Sequence, residues 1–455
     1  MTAPPSLPVA DEARPSGVRH RVMAFLCVLS FLTYFDRVCI VRAQDEIRGD
    51  LGLTTGQMGA VFGAFWLAYA LFELPGGYFG DRFGSRPTLT RIVLAWSLFT
   101  ALSGSATGFA SLLASRFLFG VGEAGAFPNM ARVQGRWLPV SARARAGGLL
   151  FLLARWGGAL SPLLFGAMLR AFGSDAFRRF ARESYVLRGL ADAAAWRLSF
   201  YAAGLVGAAW CVLFFVWFRD DPARHSGVNA AELALIRSGR TESASSGPST
   251  PWQSLVRSPS LWALGALYLF GSFAWSFFVS WAPTYLKAVH HVEMGGSEVM
   301  TGLPLFCGGI SCVLGGASSD AIVRRVGHKR AVRAIFTAVG YGSAALAMSA
   351  LRFARSPEEA TCLMCIAAAG GDFAQGANWA TIVDVGGVRA GVAAGLVNMV
   401  GNAGNFLQPS IGAFVSTSYG WGPMFVLYAL AYVIAAAMWF FIDPDRPFYT
   451  APHDE

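Results

Sequence analysis

The chain has 455 residues, of which 55% are hydrophobic and only 14% charged. That balance excludes an ordinary soluble domain and points to a bilayer as solvent. A formal charge of +9 would suggest nucleic acid in a soluble protein. Here Lys and Arg sit mainly in loops between apolar runs and no nucleic-acid motif occurs, so the membrane accounts for them.

Residues 1–20 are polar and Pro/Ala-rich and read as a disordered cytoplasmic tail. They lack the short apolar core and small-residue cleavage site of a signal peptide. Apolar runs long enough to cross a bilayer follow at 21–43, 57–79, 88–110, 112–134, 144–168 and 197–218. After a polar stretch containing ESASSGPST, they resume at 261–286, 298–320, 331–350, 361–383, 391–416 and 420–442. The expected fold is therefore an all-α membrane protein with twelve transmembrane helices in two pseudo-symmetric six-helix bundles, 21–218 and 259–442. Residues 219–258 form a central cytoplasmic loop and 443–455 a cytoplasmic tail. The Arg/Ala-rich segment 172–196 reads as an external loop with a short surface helix.

Charge sets the orientation. With the N-terminus inside, tails and inner loops hold roughly twice as many Lys and Arg as the outer loops, which favours both termini inside. An internal repeat supports two halves. The second span ends GGYFGDRFGSR and the eighth GGASSDAIVRRVGHKR, with Gly77 and Gly316 each four residues before Asp81 and Asp320. Repeated halves rocking about a central site are the usual build of a secondary transporter.

Ionisable groups inside apolar runs are costly and normally face a cavity or a partner. Those here are Asp36, Arg37, Glu73, Arg116, Glu123, Arg155 and Asp372. Arg116 and Glu123, seven residues apart, face nearly the same direction two turns apart on a helix. Asp36 and Arg37 are adjacent and cannot share one face. Carboxylates beside arginines suit proton carriage, because the arginine favours ionisation while burial opposes it. A permanent structural ion pair is the competing reading. Arg37, Arg116 and Arg155 make the first-half wall electropositive, which favours an anionic substrate.

Tyr34, Tyr69, Trp275, Phe278, Trp281, Tyr285 and Trp379 fall in central apolar runs and are candidates for a pocket wall. The second half adds Asn378, Asn398, Asn402 and Asn405. Glu73 precedes LPGG, where Pro75, Gly76 and Gly77 imply a bend or a close helix approach. Asp372 either touches substrate or pairs with another polar group. The seven cysteines lie in apolar stretches. Cys362 and Cys365 have no second pair, and His290–His291 lacks metal-ligand spacing. No metal, cofactor or catalytic constellation is expected, so the chain is not read as an enzyme.

Four segments carry a family resemblance: TYFDRVCI at 33–40, DLGLTTGQMGAVFGAFWLAYALFELPGGYFGDRFGSR at 50–86, SRFLFGVGEAGAFPNM at 115–130 and GLVNMVGNAGNFLQPSIGAF at 395–414. With them the chain resembles the major facilitator superfamily, and within it the anion:cation symporters that include galactonate, glucarate and hexuronate transporters. The resemblance implies uptake of an organic anion, a sugar acid or another carboxylate, by proton symport through alternating access. It makes Asp36 and Glu123 the proton-titrating pair, with Arg37 binding the substrate carboxylate and Arg116 modulating the acidic residues. Tyr34, Tyr69, Trp379 and Asn398 would line the cavity. Asp81, Arg82 and Arg86 would form a cytoplasmic gate.

Three residues depart from the family pattern: Arg155, Glu73 and Asp372. Arg155 stands where relatives have an uncharged polar residue, which implies a second anionic group on the substrate or a partner for Glu123. The expected partners are the anion, protons and lipid, with no nucleic acid and a monomer as functional unit in a bacterial inner membrane. A proton-antiport exporter, an aromatic-acid transporter and a non-transporting receptor or scaffold are the rival readings.

Overall fold

A computed structural model describes residues 14–185, 188–237, 257–293, 298–386 and 390–446, leaving aside a few side chains within helices, that of Asp81 among them. Those residues are helical almost throughout. The first half holds α1 (Val18–Arg42), α2 (Gln44–Leu51), α3 (Thr55–Phe83), α4 (Ser85–Gly104), α5 (Phe109–Glu123), α6 (Ala126–Trp137), α7 (Val140–Gly173), α8 (Asp175–Glu183) and α9 (Ala195–Trp217). A short α10 (Ala230–Arg237) lies in the central segment. The second half holds α11 (Pro259–Ser280), α12 (Ala282–His290), α13 (Glu298–Val326), α14 (Lys329–Leu351), α15 (Pro357–Gly386), α16 (Ala390–Ser418) and α17 (Trp421–Ala437).

Eight stretches among the described residues are long and apolar enough to cross a bilayer: α1, Thr55–Glu73, Ala146–Gly173, α9, α11, α13, α14 and Trp421–Phe441. The other four expected spans are helical but polar or broken. The fourth is interrupted at Ala124–Gly125, between α5 and α6, where Gly125 adopts φ +88°. Helices α15 and α16 carry buried Asp372 and Asn378, and Asn402, Asn405 and Gln408. Such residues lower hydropathy where a helix lines an interior rather than lipid. The outward faces remain apolar, with Leu205, Val212 and Leu346 well exposed.

Helices pack mainly within their own half. Helix α1 lies on α7, α4 on α9 and α3 on α5; in the second half α13 lies on α15, α11 on α16, and α14 on α15 and α17. The most extensive contacts between halves, among the described residues, are those of α3 with α16 and of α7 with α13; α1 also meets α11. Each of α3, α16, α7 and α13 carries an interior proline: Pro75, Pro409, Pro162 and Pro304. A proline inside a helix removes one backbone bond and permits a kink.

Close approach depends on glycine. A Cβ on Gly76 would stand 2.6 Å from the Ala124 carbonyl oxygen, so α3 meets the α5–α6 break with nothing between. This is the close contact that the Pro75–Gly76 group implied. Short α8 occupies the expected place of a surface helix, capped by Ser174, whose Oγ accepts from Phe177 N.

The central segment is fastened to the first half. Glu232 pairs with Arg19 and accepts from the backbone N–H of Gly17 and Arg19. Asp220 accepts from the N–H groups of Ser85 and Arg86, and Trp137 Nε1 donates to the Arg219 carbonyl. Helix α1 thus starts at Val18, slightly inside the expected tail, because this contact orders the residues before it.

Candidate functional site

Midway along α1, the sequence places Asp36 and Arg37 on adjacent helical positions, and both side chains are buried. Arg37 Nε donates to Glu123 Oε1 at 2.6 Å. Its guanidinium carbon sits 4.6 Å from the Tyr69 ring centroid, 4.8 Å from Tyr34, 5.3 Å from Phe65 and 5.4 Å from Trp66. The cation is thus held by one carboxylate and a cage of aromatic faces. Glu123 is the last residue of α5, where the break before Gly125 lets it reach α1. Among the described residues its second oxygen, Oε2, has no partner, and the Asp36 carboxylate lies beside the Trp96 indole.

Arg116 is 2% exposed. Expected beside the acidic groups, it makes no ion pair among the described residues. Its Nε and Nη1 lack partners, and the Phe119 ring lies 4.2 Å from its guanidinium carbon. A small cavity of about 20 Å³, room for one water, opens between Arg37, Arg116, Tyr34, Phe65, Trp275 and Ser280. First- and second-half residues both contribute to its wall.

Arg155 and Asp372 are brought together across the halves. Arg155 Nη2 donates to Asp372 Oδ1 at 2.6 Å, and the Arg155 guanidinium lies 4.2 Å from Trp275 and 5.8 Å from Tyr34. Asp372 is therefore the partner of Arg155, and Arg155 is not a partner for Glu123. Glu73 makes a second polar bridge between halves. Asn398 Nδ2 donates to both its oxygens, at 2.7 and 2.8 Å, and Asn402 Nδ2 reaches Oε2 at 3.4 Å. Asn398, expected to line the cavity, thus contacts Glu73.

Other expected residues have different surroundings. Trp379 is partly exposed and meets Phe151 edge-on at 5.8 Å, across the halves. Trp281 donates to the Pro409 carbonyl and Tyr285 to that of Leu351, so both brace the second half. Arg86 donates twice to the Phe215 carbonyl, tying the start of α4 to α9. Arg82 is exposed against Phe83. The side chain of Asp81 lies outside the described part.

One cluster is not apparent from the sequence. At the end opposite the termini, Glu298 accepts from Arg42 Nε at 3.1 Å and from Arg170 Nη1 at 2.8 and 3.0 Å. Beside it Lys287 pairs with Asp45, and Gln44 Nε2 donates to Thr284 Oγ1 at 2.7 Å. The hydrogen bond to Asp45 raises the Lys287 ammonium above its ordinary range. All these contacts join the first half to the second. Only the tendency of charges to flank spans on one side could have hinted at them; nothing in the sequence pairs a residue at 42 with one at 298.

Residues 26–409 match the model of the Major Facilitator Superfamily. A probable sulfoacetate transporter of Cupriavidus necator is 30% identical over 424 residues, covering 92% of this chain and 91% of that protein. A D-galactonate transporter of Escherichia coli is 26% identical, covering 94% and 95%. Among solved structures, a bacterial homolog of the human lysosomal transporter Spinster, in an inward-facing and occupied conformation, matches with a TM-score of 0.74 and 22% identity, covering 96% of this chain and 99% of that one. A family match across most of the length, on a helical fold with buried charges between its halves, places the chain in the Major Facilitator Superfamily.

Proposed function

We propose that this protein is a secondary transporter that takes up an organic anion with protons by alternating access. The observation that carries the reading is the buried Arg37–Glu123 pair beside Asp36. With Glu123 ionised, Arg37 is neutralised by its own protein. Protonation of Glu123 weakens that pair and frees the guanidinium for a substrate carboxylate. Proton binding and anion binding then favour each other, and the coupling is reciprocal. The relatives include transporters named for sulfoacetate and D-galactonate, both organic acids.

Twelve crossings in two pseudo-symmetric six-helix halves, 21–218 and 259–442, fit the reciprocal contacts of α3 with α16 and α7 with α13. Excess Lys and Arg in the loops on one side favours both termini on the cytoplasmic side of a bacterial inner membrane. On that orientation the Arg42–Glu298–Arg170 cluster closes the outer face. Protons enter when it opens, the halves rock, and the anion leaves on the inner side. The functional unit is a monomer.

The test is transport in proteoliposomes. Glu123→Gln is expected to abolish uphill accumulation driven by a proton gradient while retaining some anion exchange. Unchanged uphill uptake in this variant would remove Glu123 from coupling and with it the central support for symport.

A further inference from the structure

The transport reading leaves Arg155 and Asp372 unexplained. Both are largely buried, with side chains 14% and 3% exposed, and they bridge the two halves. A buried ion pair is a poor source of stability, because desolvation offsets most of its attraction, and apolar residues of similar size often serve better. A pair kept in such a place needs another use. Its position supplies one. The Arg155 and Arg37 guanidinium carbons lie 5.8 and 4.8 Å from the centroid of the same Tyr34 ring. Their separation cannot exceed the sum of those distances, which a short acyclic molecule spans. Each arginine is matched by one carboxylate, Glu123 for Arg37 and Asp372 for Arg155. Among the described residues Glu123 keeps one oxygen without a partner, and the Asp372 carboxylate has only the Trp275 indole besides Arg155 as a donor beside it.

Resting on the transport reading above, we propose that the substrate is a small dianion with an acid group at each end, one held by Arg37 and the other by Arg155, and that Asp372 occupies the second acid's place when the site is empty. The cavity beside Arg37 holds only one water in this state, so a diacid enters as the Arg155–Asp372 contact opens. That contact joins α7 to α15, so exchanging Asp372 for a substrate acid also releases a link between the halves. Trp275 serves as the shared floor: it lies under Arg155 and lines the cavity, and its indole stands beside the Asp372 carboxylate.

The displaced carboxylate cannot remain ionised without a partner. Around it stand Arg155 from α7, Trp275 from α11, Cys312 from α13, Tyr341 from α14 and Tyr432 from α17, and Gly308 closes the side toward Oδ2, where an added Cβ would lie 2.3 Å away. Once Arg155 turns to substrate, no other cation in that set balances Asp372, so it takes up a proton. A diacid is therefore carried with one more proton than a monoacid.

The experiment uses the full chain in detergent and in proteoliposomes. The probes are sulfoacetate and succinate, against propanoate, butyrate and D-galactonate. Wild type is expected to bind at least one diacid tenfold or more tightly than the short monoacids. In Arg155→Gln/Asp372→Asn, a neutral pair of similar shape, the diacid-to-monoacid affinity ratio falls at least tenfold. In Asp372→Asn alone, diacid binding tightens severalfold and the proton-to-diacid ratio drops by one. An unchanged affinity ratio in the double variant, or an unchanged proton ratio with Asp372→Asn, overturns the proposal. Transport of D-galactonate with no diacid bound also overturns it, and leaves proton-coupled anion transport standing. Flux of none of these anions under a proton gradient overturns both readings.

Discussion

At residue scale, an ionisable side chain inside an apolar run is conspicuous in sequence, and Asp36, Arg37, Arg116, Glu123 and Arg155 stand out for that reason. Their partners do not. Arg116 and Glu123 share a helical face, yet seven residues at 1.5 Å rise put them about 10 Å apart, too far for an ion pair. Glu123 pairs instead with Arg37, 86 positions away in the chain, because α5 ends there and the backbone turns. Glu73 is the same lesson: its place before LPGG is plain, but its amide partners come from α16. The Asn398 amide donates twice to this buried carboxylate. Asn398→Ala leaves Glu73 short of donors, and a loss of about 1–3 kcal/mol is expected. Thermal unfolding in detergent checks it. Asn398→Asp, which sets two carboxylates together, should lose more.

At the scale of elements, hydropathy locates helices but not which of them face a cavity. The spans that fall short of a lipid-spanning composition, α15 and α16 above all, carry the amides and acids that meet the first half. Packing depends on backbone contacts at glycines, and two of them separate fold from conformation. A Cβ on Gly157 would stand 2.1 Å from the Phe31 carbonyl oxygen, between α1 and α7 of one half. A Cβ on Gly302 would stand 2.1 Å from the Ala159 carbonyl oxygen, between α13 and α7 of opposite halves. Gly157→Ala is expected to lower the unfolding temperature, since those helices stay packed in any state. Gly302→Ala is expected to wedge the halves apart near the Glu298 end with little loss of unfolding temperature. Labelling of a cysteine introduced at Thr301 reads the second effect as a faster rate.

At the scale of the molecule, the Asp81 and Asp320 segments imply a repeat in the sequence, while the polar contacts between the first and second halves of the chain are not legible there. Those at the Glu298 end are made by Arg42, Arg170, Asp45, Lys287 and Glu298, scattered along the chain at helix ends. Glu298 receives two arginines, so Glu298→Gln removes the charge that holds both. Accessibility from the Glu298 side is expected to rise severalfold, measured by the same cysteine labelling, whereas Asp192→Asn, which breaks only an exposed pair with Arg182, should change nothing. Since Asp220 and Glu232 clamp the central segment to the first half, and Ser260 Oγ accepts from Asp443 N in the second, each half carries its own fastenings. The polypeptide is then severable: two fragments parted within 238–256 and made in the same cell should find each other through α3–α16 and α7–α13, and function as one transporter.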